Sequence, residues 1–245
     1  MAGETVKSEA VCLSIRPWSR TSHVVNWLTP HGRVSTVVKG AVRPKSFFLG
    51  QYDLNYTCEI VYYARAKGEL HALRECVPLD RRDALRDDFR ALALAGHFRS
   101  LVSELAPSGP DCRAWHGLLV ESLGFLEEGL EGSRGLVRML RFELSVLSLA
   151  GLRPDFSGYD RTAEWSAFSV ENGTFDASGR HPVRVSTPVA EALARGVPDD
   201  VGMKILLDMS RVISVFYTFH LDCAPETRRA VLGMICNRKE KDQDG

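Results

Sequence analysis

Residues 10–46 read AVCLSIRPWSRTSHVVNWLTPHGRVSTVVKGAVRPKS, and this stretch decides the fold class. Val11, Leu13 and Ile15 alternate with smaller or polar residues, the period of a half-buried strand, until Arg16-Pro17-Trp18-Ser19 interrupts the pattern. A second strand is expected over 22–29. Pro30-His31-Gly32 supplies a turn, and the β-branched run 33–39 reads as the returning strand of a hairpin. Residues 40–50 carry Pro44, glycines at both ends and polar or basic side chains, so a loop is expected there. Beyond it Tyr52, Leu54, Tyr56, Cys58, Ile60 and Tyr62 alternate strictly, and residues 68–76 form a weaker fifth run. Five short antiparallel strands suit a small closed barrel, with periodicity leaving an oligonucleotide-binding type and an SH3-like type both open.

The same stretch has an unusual charge distribution. The chain balances 31 Lys and Arg against 31 Asp and Glu, yet no acidic residue occurs between Ala10 and Tyr52. Six cations do occur there: Arg16, Arg20, Arg33, Lys39, Arg43 and Lys45. A neutral total therefore conceals a basic segment beside an acidic remainder, and a barrel with such a segment presents a positive field suited to phosphates. Trp18, Trp27, Phe47 and Phe48 are interleaved with these cations and have π-faces for unstacked bases. Trp27 and one of the two phenylalanines are equally suited to fill the barrel, whereas Trp18, beside Pro17 and between two arginines, is the better candidate for a ligand. The competing reading is an adaptor whose basic segment docks an acidic protein.

After residue 80 the apolar period becomes helical. Leu85, Phe89, Leu92, Leu94, Phe98, Leu101 and Leu105 predict one helix of about six turns, ended by Pro107-Ser108-Gly109-Pro110. Trp115, Leu118, Leu119, Leu126 and Leu130 mark a second helix, and Leu136, Met139, Leu140, Leu144 and Leu147 a third that stops at Gly151, so that three helices can share one core. Asn172-Gly173 signals a tight turn within a small β-hairpin near 164–178. Helices resume at Thr187-Pro188, after Asp199 or Asp200, and at Pro225. The expected architecture is α+β: a barrel domain over 1–80 and a helical domain over 81–245 with the hairpin inserted.

Enzymatic motifs are missing. No phosphate-binding glycine loop, dinucleotide fingerprint, nucleophile elbow or zinc-protease helix occurs, so no catalytic residue is assigned. Asp83, Asp87 and Asp88 interleave with Arg81, Arg82, Arg86 and Arg90, the pattern of a solvated face of ion pairs. The six cysteines contain no C-x-x-C pair and the seven histidines no partner at ligand spacing, so neither zinc nor another cofactor is expected. The charge-free run 212–221 is too short to span a bilayer, and a cytoplasmic protein with free thiols is expected.

Three motifs carry a family resemblance: IRPWSRTS at 15–22, LTPHGRV at 28–34 and VVKGAVRPKS at 37–46. In order and spacing they resemble the N-terminal signature of RecO, the bacterial recombination mediator. KGEL at 67–70, LRFELSVL at 140–147, AGL at 150–152 and the basic pair Arg228-Arg229 fit the same family. Two departures stand out. Relatives often have a zinc-binding cysteine cluster after the helix with the RFEL motif, but no cysteine lies between Cys112 and Cys223, and Arg20 stands where relatives usually have an acidic residue.

The resemblance implies a non-enzymatic protein with an N-terminal oligonucleotide-binding (OB) barrel and a helical C-terminal domain, cytoplasmic and associated with the nucleoid. Such a protein binds single- and double-stranded DNA, anneals complementary strands, works with RecR and indirectly RecA, and contacts the C-terminal tail of single-stranded-DNA-binding protein. The residues expected to meet DNA are Arg16, Trp18, Arg20, Arg33, Lys39, Arg43 and Lys45, with Arg228 and Arg229. The acidic tail is expected on the third helix, where Arg138 and Arg141 would flank an apolar depression of Leu140, Leu144 and Leu147.

Overall fold

Alternating side chains carry β1 (Glu4–Ser19) past the expected interruption, and this strand organises the barrel. Its first half pairs with β4 (Thr57–Ala64) from Glu4 opposite Ala64 to Val11 opposite Thr57. Its second half pairs with β2 (Ser22–Thr29), so one strand belongs to both ladders. Pro17 stays within β1 opposite His23, next to a register shift between Pro17 and Ser19, where a missing N–H disturbs little. β2 returns through the Gly32 turn into β3 (Gly32–Val38). β5 (Leu70–Asp80) closes the cylinder in the order β1-β2-β3-β5-β4. This is a five-stranded OB barrel, and one expectation is corrected: β3 and β5 are parallel, with Ser35 opposite Leu70. Residues 52–56, expected to start the fourth strand, lie outside it and include a turn in which the Tyr56 N–H donates to the Asp53 carbonyl at 3.2 Å.

Inside the barrel Ala10, Cys12, Val25, Trp27, Val38, Cys58, Ile60 and Cys76 pack together. Trp27 is fully buried and donates from Nε1 to Thr36 Oγ1 at 2.8 Å, satisfying its one polar atom. Burial pushes the Cys12 thiol far above its ordinary range, so it is packing material and not a nucleophile.

The computed structural model describes residues 4–65, 68–177, 182–221 and 226–236. It resolves into two compact units, Met1–Glu128 and Gly129–Gly245. Secondary structure changes from strand to helix after Asp80, but the first unit continues through α1 (Phe89–Leu105) and α2 (Arg113–Glu127). The single helix expected from Leu85 is broken: a 3-10 turn, Asp83–Arg86, precedes α1, whose N-cap Asp88 accepts the Arg90 N–H. Consequently Phe89 and Leu92 are exposed, and α1 buries Ala91, Leu94, Ala95, Phe98, Leu101 and Val102. Both helices touch β1, where Val11 and Leu13 are buried between the inward-facing Ala10 and Cys12 and the register shift.

Within the first unit Arg82, read from sequence as part of a solvated face, is 4% exposed and adopts a left-handed backbone, φ +52°. Its guanidinium donates to the Asn55 carbonyl at 3.2 Å and Thr57 Oγ1 at 2.9 Å, and pairs with Asp80 and Glu127. Barrel, 3-10 turn and α2 are thus tied by one side chain.

The second unit is built around α3 (Arg134–Leu149), which buries Leu136, Val137, Met139, Leu140, Phe142, Val146 and Leu147. Its third-helix role is therefore in a core of its own, shared with α5 (Met203–Leu221) and α6 (Glu226–Cys236). The two-stranded sheet also differs from expectation. β6 (Trp165–Phe168) pairs with β7 (Val183–Ser186), just before α4 (Thr187–Ala194), while Asn172-Gly173 closes only an isolated bridge between Ser169 and Thr174. Ser178 lies outside the described residues.

The most buried polar cluster links three of these helices. Glu143, wholly inaccessible, receives Arg228 Nε at 2.8 Å and Nη2 at 3.0 Å. Arg228 also donates to the Ser210 carbonyl and Oγ, and Tyr217 Oη donates to the Glu143 carbonyl at 2.9 Å.

Candidate nucleic-acid interface

Strand register gathers most of the acid-free segment's cations at one end of the barrel. Ser19 lies opposite Ser22 and Arg16 opposite Val24, while in the next ladder His23 lies opposite Val38. The β1–β2 hairpin tip, carrying Arg16, Trp18 and Arg20, therefore stands beside the end of β3 and Lys39.

Residues 40–50 leave from the same place and are fastened to it. Val42 donates its N–H to the Thr21 carbonyl at 3.4 Å and Gly40 to Ser22 Oγ at 3.3 Å. Gly40 has φ +67°, and a Cβ there would stand 3.2 Å from Arg43 Cδ, so glycine allows Arg43 to fold over the turn. Successive turns follow, with Ser46 N–H donating to the Arg43 carbonyl at 2.9 Å and Gln51 N–H to the Phe48 carbonyl at 3.2 Å. Ala41, Phe48 and Tyr52 anchor the loop on the barrel core, and Tyr52 Oη also meets His23 Nδ1 at 2.8 Å. Burial raises the Tyr52 hydroxyl above its ordinary range, so it stays protonated.

What this frame leaves outside is cationic and apolar. Arg16, Arg20, Lys39, Arg43 and Lys45 are exposed, and none makes an ion pair among the described residues. Elsewhere arginines are commonly neutralised, as in Arg86–Asp53 at 2.8 Å and Arg90–Asp88 at 2.9 Å. Trp18 is 63% exposed and Phe47 94%. Unneutralised cations with accessible rings can hold a polyanion and offer faces to flat groups. The hairpin between the first two strands is one of the loops with which OB barrels contact oligonucleotides.

Several sequence-predicted residues fall elsewhere. Arg33 sits at the opposite end of β3, opposite Leu28 and roughly 20 Å along the strand from Lys39. It is half-buried and its Nη1 donates to the Ala106 carbonyl at 3.3 Å, at the end of α1. Arg228 is a core residue, 3% exposed and held by Glu143, so its charge is not offered to phosphate; Arg229 is exposed. Leu140 and Leu147 are fully buried and line no surface depression, while Leu144 and Arg138 are half-buried. Arg141 is exposed, but its Nε donates to the Val197 carbonyl at 2.9 Å and its Nη2 meets Asp199 at 3.1 Å. Of the four aromatics whose rings the sequence offers to bases, Trp27 and Phe48 pack in or against the barrel core, while Trp18 and Phe47 are exposed. Among the described residues no group of His, Cys, Asp and Glu is arranged to hold a metal ion. No helix among the described residues is long and apolar enough to cross a membrane.

Comparison with known proteins agrees with this geometry. The family model described as "Recombination protein O N terminal" matches residues 1–82, and "Recombination protein O C terminal" matches residues 86–229. Three similar curated proteins are each named "DNA repair protein RecO". That of Roseiflexus sp. (strain RS-1) is 26% identical over 154 residues, covering 63% of this chain and 53% of the relative. That of Desulforudis audaxviator is 28% identical over 152 residues, covering 61% and 58%. For these two the match spans little more than half of the relative's length. The protein of Salinibacter ruber is 24% identical over 257 residues and is matched over 97% of both chains.

Proposed function

The chain belongs to the RecO family of DNA repair proteins, and from that premise we propose that it is a DNA-binding recombination mediator acting through the hairpin end of its barrel. It binds single- and double-stranded DNA, anneals complementary strands, and helps place recombinase on DNA coated by single-stranded-DNA-binding protein. The observation that carries this reading is the set of five exposed cations, Arg16, Arg20, Lys39, Arg43 and Lys45, without an ion-pair partner among the described residues, on one end of an OB barrel. Annealing follows without nucleotide hydrolysis. A cationic surface lowers the repulsion between two phosphate backbones, and base pairing supplies the driving force.

The partners belong to the same proposal: RecR, the acidic tail of single-stranded-DNA-binding protein, and RecA indirectly. With Leu140 and Leu147 in the core, a tail would meet Arg138, Arg141 and Leu144, and its carboxylate would displace the exposed Asp199 from Arg141.

The test is fluorescence anisotropy of an oligonucleotide across a salt series. Four or five cations on the phosphates of a single strand give a slope of log K against log salt of about −3 to −3.5. Arg43→Ala combined with Lys45→Ala reduces the slope by about 1.4 and weakens all sequences alike, because phosphate contacts carry little sequence information. A flat salt response in the unaltered protein, with tight binding to an acidic protein, overturns the proposal in favour of an adaptor.

A further inference from the structure

The loop 40–50 presents one side chain that folding does not explain. Phe47 is 94% exposed, the most exposed large apolar residue among those described. Its neighbours Ser46 and Phe48 are held in place, with the Phe48 N–H donating to Ser46 Oγ at 3.2 Å and the Phe48 ring packed against the barrel core. Further along, Leu49 N–H donates to the Ser46 carbonyl at 3.4 Å. The backbone beneath Phe47 is thus fixed on both sides while the ring is left almost wholly to solvent. A ring with two rotatable bonds on a fixed backbone loses little entropy when it is covered.

We infer that Phe47, with Trp18 as a second platform, stacks on unpaired bases and makes the hairpin end of the barrel selective for single strands over duplex. This rests on the DNA-binding reading of the same surface and deepens it. The charge around the ring chooses the class of ligand: Lys45 is two residues away, and Arg16, Arg20, Lys39 and Arg43 share the barrel end, so the occupant is a polyanion carrying flat apolar groups. Nucleic acid has both features, but only when its bases are unstacked; a duplex buries base faces along its length and offers this surface phosphates alone. The cations then serve both forms, while the rings serve one.

The experiment compares the full-length chain with Phe47→Ala, Phe47→Tyr and Phe47→Leu on three probes. The probes are a single-stranded oligonucleotide, a duplex with the same number of phosphates, and an abasic deoxyribose-phosphate strand. Stacking on one base corresponds to about 5- to 150-fold in affinity. Phe47→Ala is expected to weaken the single strand by that factor, leave duplex and abasic strand within about twofold, and leave the salt slope unchanged. Phe47→Tyr retains affinity and Phe47→Leu does not, separating ring stacking from general apolar contact. The exposed position keeps the melting temperature of all three variants at that of the parent, which checks folding. Equal losses on single strand and duplex, full rescue by leucine, or no loss at all overturns the inference. So does Phe47-dependent binding to phosphatidylglycerol vesicles with DNA affinity unchanged. A steep salt slope with a neutral Phe47→Ala defeats stacking alone, whereas a flat slope defeats the DNA reading beneath it.

Discussion

Arg228→Ala is expected to unfold the second unit's core before it affects any DNA contact. Arg228 and Glu143 are 3% and 0% exposed in their side chains, and two charge-assisted hydrogen bonds of 2.8 and 3.0 Å join them. Removing the guanidinium leaves the Glu143 carboxylate in a water-excluded site and frees the Ser210 carbonyl and hydroxyl that Arg228 also bonds. Breaking a buried pair in this way costs about 3–5 kcal/mol, a large fraction of the roughly 5–15 kcal/mol that holds a domain together. With a urea dependence of about 2 kcal/mol per M, the unfolding midpoint drops by about 1.5–2.5 M. Urea titration followed by circular dichroism measures the shift, and hydrogen exchange over α3, α5 and α6 locates it. The double variant Arg228→Met with Glu143→Leu restores most of the loss, because an apolar pair of similar volume removes both the charge and its desolvation penalty. At low urea the Arg228→Ala protein that remains folded keeps the parental salt slope on DNA. A fully stable Arg228→Ala protein with a shallower slope refutes the buried-pair account and returns Arg228 to the DNA surface.

Two further outcomes test the first unit. His116 is 6% exposed, with Nε2 at 3.7 Å from Glu9, and burial holds its pKa below the ordinary 6.5 despite that carboxylate. The folded state therefore binds the proton less readily than the unfolded chain; stability is full above pH 6.5 and falls as pH drops below it. His71, lowered by burial and by Arg65, acts in the same direction, so thermal unfolding at pH 7.5 and 5.5 should show a smaller difference, not none, in His116→Gln. Gly32 has φ +138° and a Cβ there would stand 3.1 Å from the Gly109 carbonyl oxygen, so Gly32→Ala destabilises by about 1–3 kcal/mol in urea titration. Gly109→Ala, whose Cβ meets nothing within 4 Å, is the control and should be nearly neutral.

Local chemistry made much of this protein legible in sequence. Alternation over residues 10–62 and the β-branched run before Lys39 require strands whose faces differ in polarity, and five such runs before residue 80 leave few architectures beyond a small barrel. The acid-free stretch from Ala10 to Tyr52 likewise announced a cationic surface, since charge is a property of composition. Partners distant in the chain were decided only by tertiary structure. Arg33 and Lys39 are equivalent as letters, yet the first reaches the end of α1 and the second stands by the hairpin tip, because strand register puts them at opposite ends of β3. Arg82 and Arg228 carry charges that sequence assigns to the surface, yet both are buried and held by acceptors distant in the chain, among them Thr57 and Glu127 for one and Glu143 for the other. β6 passes over the Asn172-Gly173 turn to pair with β7, since that turn closes one bridge and the next available β-branched strand lies beyond it. Of two adjacent phenylalanines, one packs into the barrel and one faces water, a choice made by the turns on either side of Ser46 and by space that only the closed barrel provides.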